Sequence, residues 1–207
     1  VNHHEVYKKQ TGGKGKFADI MFEIGPADEG VSGLQFINDV KGGNIPREYV
    51  LAAEKGFKSA LSNGVLAGFP MDSVKVRLYD GSTHPVDSDA LSFETAAHLG
   101  FKEAGLKAKS VVMEPIMKVE VRVPSEYLGD VSGDLNRRRS ILREVEAGMT
   151  QQIIRADGPL SEMFGYITTL RTLTQGRANY SMEFSHYARL ADDLADIVIK
   201  KAKGTYF

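Results

Sequence analysis

Lysine and glycine are concentrated in one stretch near the start of the chain, the string KKQTGGKGK from Lys8 to Lys16. The stretch holds four lysines and no acidic residue. Lysine ammonium groups contact phosphate, and glycine lets a backbone approach its ligand closely. The stretch therefore suits contact with RNA, although a run of charge is more often the solvated tip of a hairpin.

These glycines do not form a nucleotide-binding loop. A Walker A loop needs glycine, four further residues and then Gly-Lys-Ser/Thr, so that amides cradle phosphate and the hydroxyl binds magnesium. Here Gly15-Lys16 is followed by Phe17, and Gln10 stands where the first glycine is required. The string Asp130-Val131-Ser132-Gly133 matches only the short D-x-x-G of GTPases. We therefore predict no GTP hydrolysis and no catalytic residue in this chain.

A histidine, His84, lies between the polar string Asp80-Gly81-Ser82-Thr83 and Pro85. Such a histidine is usually a turn residue, but histidine also stacks on bases and hydrogen-bonds RNA. The adjacent His3 and His4 face opposite sides of a strand, so they are poor joint metal ligands. The chain has no cysteine, and we predict no metal site.

Composition indicates a globular protein of one or two domains. Of the 207 residues, 42% are hydrophobic and 26% charged, and the net charge is −1. Binding to nucleic acid must therefore use local patches of charge. We find no membrane-length apolar run and no signal-peptide pattern, and the absence of cysteine fits a cytoplasmic protein. Because Val1 is not a start methionine and the first residues already favour a strand, we expect a fragment of a longer protein.

The periodicity of apolar residues predicts the order of the elements. In the first half, strands are predicted at 3–10, 20–24, 36–40, 74–79 and 111–113. Helices are predicted from Pro46 to about Ser62 and from a cap at Asp87 or Ser88 to about Lys107. A turn is predicted at 80–85, and Glu114-Pro115 marks the domain boundary.

The second half follows the order β-α-β-β-α-β, which is that of a ferredoxin-like domain. Its strands are predicted near 119–123, 141–147, 151–156 and 180–184. Its helices are predicted at about 125–138 and from Leu160, where Phe164 and Ile167 share an apolar face. A last amphipathic helix is predicted, with Leu190, Leu194, Ile197 and Val198 on one face.

Three strings in the second half identify a family. They are Met163-Phe164-Gly165-Tyr166, Thr174-Gln175-Gly176-Arg177 and Ser181-Met182-Glu183-Phe184-Ser185-His186-Tyr187. The chain resembles translation elongation factor G, which ends with an M-F-G-Y helix, a T-Q-G-R turn and an S-M-E-F-x-H-Y strand. Similar strings extend the resemblance over essentially the whole chain: Lys41-Gly42-Gly43-Asn44-Ile45-Pro46, Gly64-Val65-Leu66-Ala67-Gly68, Glu114-Pro115-Ile116-Met117-Lys118-Val119-Glu120 and Gly133-Asp134-Leu135-Asn136-Arg137-Arg138.

The resemblance implies an α+β chain made of the fourth and fifth domains of that factor. Residues 1–114 would form a βαβ domain with a left-handed crossover, as in ribosomal proteins. Residues 115–207 would form the ferredoxin-like domain with a C-terminal helix. The parent protein would be a translational GTPase that uses GTP and Mg, whereas this part of it would need no cofactor.

The resemblance also implies a ribosome-binding surface. The family's tip K-Q-S/T-G-G-x-G corresponds to Lys9–Gly15, and its second loop Y-D-G-S-x-H corresponds to Tyr79–His84, whose histidine lies at the codon–anticodon helix. The predicted RNA-binding residues are Lys9, Gln10, Thr11, Gly12, Gly13, Lys14, Gly15, Lys16, Asp80, Gly81, Ser82, His84, Gln175 and Arg177.

The expected partners follow from these positions. They are rRNA of the small-subunit decoding site, tRNA and mRNA and, near Gln175 and Arg177, the sarcin–ricin loop of the large subunit. The tip loops would enter the A site of the small ribosomal subunit, where they would promote translocation of tRNA and mRNA. We expect a cytoplasmic monomer with no membrane partner.

Departures from the family pattern leave alternatives open. Ser140 and Arg143-Glu144 stand where glycines are common, and Gly15-Lys16-Phe17-Ala18 replaces G-Q-Y-G. A divergent paralogue fits these changes. A ribosomal protection protein of the tetracycline-resistance type uses the same domain, but its tip is usually bulkier and more aromatic. A stand-alone RNA-binding module is a further alternative. Small-molecule kinases share the left-handed crossover but need a phosphate loop that this sequence lacks.

Overall fold

The computed structural model describes residues 1–10 and 12–204, which form two compact units. The first unit is Val1–Val111 together with the chain from Asp193 on, and the second is Val112–Asp192. The predicted α+β class with two sheet-containing domains is therefore confirmed.

The first unit contains four strands and two long helices. They are β1 (Asn2–Lys9), β2 (Lys16–Pro26), β3 (Leu34–Asn38), α1 (Arg47–Asn63), β4 (Val74–Ser82) and α2 (Ala90–Lys107). The sheet order is β1-β2-β4-β3. Strand β2 pairs antiparallel with both β1 and β4. Strand β3 runs parallel to β4, and α1 connects these two strands.

The core of this unit lies between the sheet and the two helices. Alternate residues of β2 are buried, which is the period-2 pattern that the sequence predicted. Phe22 of β2 and Phe57 of α1 pack edge to face with ring centroids 4.9 Å apart. Helices α1 and α2 approach closely at Gly56, where an added Cβ would lie 2.2 Å from the carbonyl oxygen of Glu94.

The ends of both helices have local causes. Pro46 precedes α1 with φ −54°, and Gly64 ends it with φ +64°, a conformation that glycine adopts without strain. The cap of α2 is Asp89, whose carboxylate accepts a hydrogen bond from the Ser92 backbone N–H at 2.8 Å. The prediction that Asp87 or Ser88 caps this helix is wrong, because both side chains bond to β2 residues or to the turn before it.

The second unit has the ferredoxin-like topology that the sequence predicted. Its elements are β5 (Met113–Val123), α3 (Leu128–Arg137), β6 (Ile141–Ala147), β7 (Gln152–Pro159), α4 (Tyr166–Thr174) and β8 (Asn179–Arg189). The sheet order is β6-β7-β5-β8, and every neighbouring pair is antiparallel. Fully buried residues from strands and helices, including Val121, Leu135 and Leu170, form its core.

The helix predicted from Leu160 begins later. Residues Leu160–Glu162 form one 3₁₀ turn, and Gly165 then adopts φ +72° before α4 starts at Tyr166. This break changes the helical phase, so Phe164 is 76% exposed whereas Met163 and Tyr166 are buried. The predicted apolar face containing Phe164 is therefore wrong.

The structure divides the chain differently from the sequence at two points. Strand β5 starts at Met113 and includes Glu114 and Pro115, where the boundary was predicted. Pro115 precedes Ile116, at which pairing with β7 begins, so one flank of the strand is free there and a proline is tolerated. A last helix, α5 (Asp192–Ala202), groups almost entirely with the first unit, although the sequence assigned it to the second domain.

Across the described residues, we find no helix with the length and apolarity needed to cross a bilayer.

Candidate nucleic-acid interface

The lysine-glycine stretch forms the tip of the β1–β2 hairpin. The last residue pair of the ladder is Lys9 with Lys16, so Gln10 and residues 12–15 lie beyond the paired strands. Gln10, Gly12, Gly13 and Lys14 are exposed. Gly12 has φ +47°, a backbone conformation that favours glycine, and a Cβ there would meet no atom within 4 Å. Thr11, which the resemblance also assigns to this surface, lies outside the described residues.

The second predicted loop is shorter than the sequence suggested. Strand β4 continues through Asp80 and Gly81 to Ser82, because these residues pair with Met21 to Asp19 of β2 beyond a bulge. The turn predicted at 80–85 is therefore confined to the residues after Ser82. We name residues 83–89 the histidine loop, and Gln10 together with residues 12–15 the glycine loop.

The polar groups at the end of β4 form hydrogen bonds within the first unit, at Asp80, Gly81 and Ser82. The Asp80 carboxylate accepts from the Asn44 side chain at 2.9 Å and from the Gly81 N–H at 2.8 Å, and these bonds lower its pKa. A Cβ on Gly81 would lie 2.2 Å from the Asp19 carbonyl oxygen. The Ser82 hydroxyl donates to the Asp19 carboxylate at 2.7 Å. These residues form the end of β4, immediately before the histidine loop.

His84 is held by its Nδ1 atom. The backbone N–H groups of Val86 and Asp87 donate to Nδ1 at 3.3 and 3.1 Å. A ring nitrogen that accepts hydrogen bonds carries no proton, so these bonds assign the proton of the neutral ring to Nε2. The side chain is 49% exposed, and its ring lies 6.1 Å from that of Phe17. His84 can therefore donate one hydrogen bond from Nε2 to a ligand.

Four contacts join the glycine loop and the start of β2 to the histidine loop. The Gly15 N–H donates to Oδ1 of Asp87 at 2.9 Å, and the Phe17 N–H donates to the Asp87 carbonyl at 2.8 Å. The Ser88 hydroxyl donates to the Phe17 carbonyl at 2.9 Å, and the Lys16 ammonium bonds to Asp89. The two loops therefore form one continuous surface at one end of the sheet.

One of the lysines at this surface, Lys16, is paired with a carboxylate of the same unit, that of Asp89. Partial burial raises the pKa of the Asp89 carboxyl, but hydrogen bonds from Lys16 and Ser92 outweigh that effect and the pKa falls to about 2. The Lys16 charge thus stabilises the start of α2. Lys9 and Lys14 are exposed and can contact phosphate groups.

The remaining predicted residues, Gln175 and Arg177, belong to the other unit. Gln175 ends α4 with φ +54°, which is an uncommon conformation for a residue other than glycine. The Arg177 guanidinium lies 4.9 Å from the ring centroid of Tyr127 and bonds to its hydroxyl and to Glu126. Arg177 therefore has partners within its own unit, and its half-exposed side chain is the part left for a ligand.

The arginines at the end of α3 also have internal partners. Arg138 donates to Asp134 at 2.8 Å and to the Thr169 hydroxyl at 3.0 Å. Its guanidinium lies 5.1 Å from the Tyr166 ring. Arg139 forms an ion pair with Glu114 at 2.9 Å. This cluster has a structural role in the second unit.

One group of described residues has the ligand types for a cation. One ligand atom from each of His3, Glu5 and Glu103 lies within 4.8 Å of the others. The Lys107 ammonium lies 3.2 Å from Nδ1 of His3, and Nε2 of His3 lies 3.1 Å from the Glu5 carboxylate. A lysine already supplies positive charge there, so the group forms an internal network. His4 faces the other side of β1 and bonds to Asp19, as strand alternation predicted.

Sequence reasoning missed Asp87, Ser88 and Phe17 as parts of the interface. Asp87 and Ser88 were considered only as helix caps, because caps are what acidic and hydroxyl residues before a helix usually are. The one signal that pointed to them was their position between His84 and α2.

Two family models match the chain. Residues 1–109 match the model described as Elongation factor G, domain IV, and residues 111–198 match that described as Elongation factor G C-terminus.

Named relatives and a solved structure agree with these matches. Elongation factor G of Amoebophilus asiaticus (strain 5a2) is 57% identical over 205 residues, which are 99% of this chain and 29% of that protein. Elongation factor G of Cytophaga hutchinsonii is 55% identical over 205 residues, which are likewise 99% of this chain and 29% of that protein. A crystal structure from Thermus thermophilus has a TM-score of 0.83 and 38% identity, over 98% of this chain and 30% of that one. The chain thus spans 29% of the length of these curated relatives.

Proposed function

Because the chain belongs to the elongation factor G family, we propose that it is the part of a ribosomal translocase that enters the A site of the small ribosomal subunit. There the glycine loop and the histidine loop contact the codon–anticodon duplex while tRNA and mRNA move, and they block its return. This role consists of steric exclusion and hydrogen bonding, and it breaks no covalent bond in this part of the protein.

The observation that carries the proposal is the joined pair of loops. Backbone and side-chain hydrogen bonds hold the loops together, so their exposed groups keep a fixed spacing. His84 offers a donor, and Lys9 and Lys14 offer positive charge beside it. RNA presents acceptors and phosphates to such groups, and a preorganised surface binds it with less loss of conformational entropy.

The predicted RNA-binding residues take different parts in this proposal. Gln10, Gly12, Gly13 and Lys14 face the ligand with Lys9 and His84. Gly15, Lys16, Asp80, Gly81 and Ser82 hold the loops in place through their contacts with the rest of the unit. Thr11 is assigned to the ligand surface by the family pattern.

The second unit has a separate proposed contact. Gln175 and Arg177 would lie near the sarcin–ricin loop of the large subunit. The Arg177 guanidinium lies over the Tyr127 ring, and its exposed N–H groups would contact the RNA.

The proposal extends to the parent protein. The parent would be a cytoplasmic, monomeric translational GTPase that binds GTP and Mg through a domain outside this sequence. We assign the fourth-domain role to residues 1–114 and the fifth-domain role to residues 115–207. A ribosomal protection role of the tetracycline-resistance type and a stand-alone RNA-binding role are the competing proposals, and the glycine-rich tip argues against the first of them.

Single-round translocation of mRNA and tRNA by the intact parent tests this function. We expect His84→Ala to slow translocation about tenfold or more, equivalent to ~1.4 kcal/mol in the barrier. Ribosome-stimulated GTP turnover serves as the internal control and should stay at the wild-type rate.

His98→Ala is the matched control variant. His98 lies within α2, more than two turns from its start, and alanine is a good helix former there. It should translocate at the wild-type rate. If His84→Ala also does so, His84 is a turn residue, the proposed function is wrong, and drug protection becomes the next activity to assay.

A further inference from the structure

Asp87 contacts both loops of the interface through three different atoms. Its carboxylate accepts the Gly15 N–H at 2.9 Å, and its carbonyl accepts the Phe17 N–H at 2.8 Å. Its own N–H donates to Nδ1 of His84 at 3.1 Å. Among the described residues, no other member of the histidine loop bonds to both the glycine loop and the histidine ring.

We propose that Asp87 is a positioning residue that makes His84 a hydrogen-bond donor and holds the glycine loop beside it. This inference rests on the proposed function, and it names the chemistry that the site recognises. His84 then binds an acceptor on RNA, such as a phosphate oxygen, a ribose 2′ oxygen or a base carbonyl.

The tautomer follows from the direction of the backbone amides. Two N–H groups, those of Val86 and Asp87, point at Nδ1. Oδ2 of Asp87 lies 3.6 Å from the same Nδ1, beyond hydrogen-bond distance, so the two amides are its closer partners. A proton on Nδ1 would face both amide protons, and we therefore assign the proton of the neutral ring to Nε2. An exocyclic amine of a base is itself a donor and would not bind there. The site therefore discriminates between acceptors and donors.

The position of the loop depends on the carboxylate of Asp87. Gly15 is buried, and a Cβ there would lie 2.9 Å from Oδ2 of Asp87. Removal of the carboxylate leaves a buried N–H without its acceptor, which favours rearrangement of both loops. Asparagine retains an oxygen at this position and can still accept the bond.

Asp87 is not needed to start the following helix. Asp89 caps α2 by accepting from Ser92, so the Asp87 carboxylate does not serve as the cap. The loss of Asp87 should therefore act on the loops and leave α2 in place.

The tautomer can be measured directly in the 207-residue chain by ¹⁵N NMR of the imidazole nitrogens. We expect wild type and Asp87→Asn to show His84 with the proton on Nε2. We expect Asp87→Ala to show averaging between the two tautomers, because the histidine loop is no longer fixed. A single Nε2–H tautomer in Asp87→Ala, or an Nδ1–H tautomer in wild type, would overturn the proposal.

Asp72→Ala is the matched control. The Asp72 carboxylate also accepts a backbone N–H, that of Gly33, but at the other end of β4. It tests whether the loss of any such carboxylate disturbs the histidine. Its His84 signals should match wild type, and averaging there would overturn the assignment to Asp87.

The donor role is tested in the intact parent by translocation with His84→Gln and His84→Phe. Glutamine places an N–H near the position of Nε2, whereas phenylalanine retains the ring shape without a donor. We expect His84→Phe to slow translocation about tenfold and His84→Gln to recover most of the rate. Equal rates for the two variants would overturn the donor role.

These results separate the inference from the proposed function. If Asp87→Ala averages the tautomers but His84→Ala translocates normally, the positioning role stands and the translocation role is wrong. If His84→Ala is slow but the tautomer of Asp87→Ala is unchanged, the translocation role stands and the positioning role is wrong.

Discussion

Replacement of Gly56 by alanine tests the closest contact between α1 and α2. The added Cβ would lie 2.2 Å from the Glu94 carbonyl oxygen and 2.9 Å from the Ala97 Cβ. The first distance is about 1.2 Å short of the 3.4 Å at which ordinary contacts begin. Because the obstacle is helix backbone, a side-chain rotation cannot relieve it, and the two helices must separate.

The expected magnitude combines two opposing effects. Alanine is favoured over glycine in a helix interior by ~1 kcal/mol. Overpacking in a tight core costs ~3 kcal/mol at the upper end of its usual range, and separated helices also lose dispersion contacts. We therefore expect Gly56→Ala to lower the free energy of unfolding of the first unit by about 2 kcal/mol.

Gly133→Ala is a matched control with the opposite sign. Gly133 lies inside α3, and a Cβ there meets no atom within 4 Å. The helix propensity gain is then unopposed, so the second unit should gain ~1 kcal/mol.

Hydrogen exchange resolved by residue is the appropriate assay, because the chain has two units and a single transition would mix them. The protection of core amides gives the free energy of opening for each unit. The close packing of the helices would be refuted if Gly56→Ala left the first unit as stable as in wild type while Gly133→Ala stabilised the second unit.

Two further predictions concern charged groups. Arg138→Ala should destabilise the second unit by about 3 kcal/mol, because it leaves the largely buried Asp134 carboxylate without its close partner. The control is Arg137→Ala: the Arg137 side chain is 72% exposed, and its loss should cost less than ~1 kcal/mol in the same hydrogen-exchange measurement. Equal losses for the two variants would contradict the reasoning. Asp89→Asn should lower the stability of the first unit at pH 7 by about 1–2 kcal/mol, because the pKa of the native Asp89 carboxyl is about 2 against an ordinary 3.8. A carboxyl whose pKa is lower in the folded state stabilises the fold at pH values above its ordinary pKa. The difference in stability between wild type and Asp89→Asn should therefore disappear as the pH falls from about 4 to about 2. A difference that stays constant with pH would show that Asp89 contributes through neutral bonds alone.

Periodicity predicted the order of the elements because each strand and helix has one buried face. In β2, for example, Ile20, Phe22 and Ile24 are buried as the alternation predicts. The signal failed where one backbone conformation changed the phase. The positive φ of Gly165 separates a 3₁₀ turn from α4, and a count of apolar spacings through Phe164 cannot register that break.

Turn residues were the other source of error. Asp80 and Gly81 are typical of turns, yet they lie in β4 because Met21 and Ile20 of β2 pair with them. The sequence also favoured an early cap for α2. Asp87 and Ser88 are good cap residues, but their side chains bond to Gly15 and Phe17 instead.

The amino-acid sequence by itself determined the family, the α+β class and the two loops that carry glycine, lysine and histidine. These properties reside in residue strings and local periodicity, which do not depend on distant parts of the chain. Only the tertiary structure decided what His84 can do. Gly15 and Asp87 are 72 positions apart and meet because β2 pairs with β4, and the resulting loop geometry points two amides at the histidine ring. The two bonds that leave the donor at Nε2 are local to the histidine loop, but that loop is held by hydrogen bonds to Gly15 and Phe17, which no local pattern relates to it.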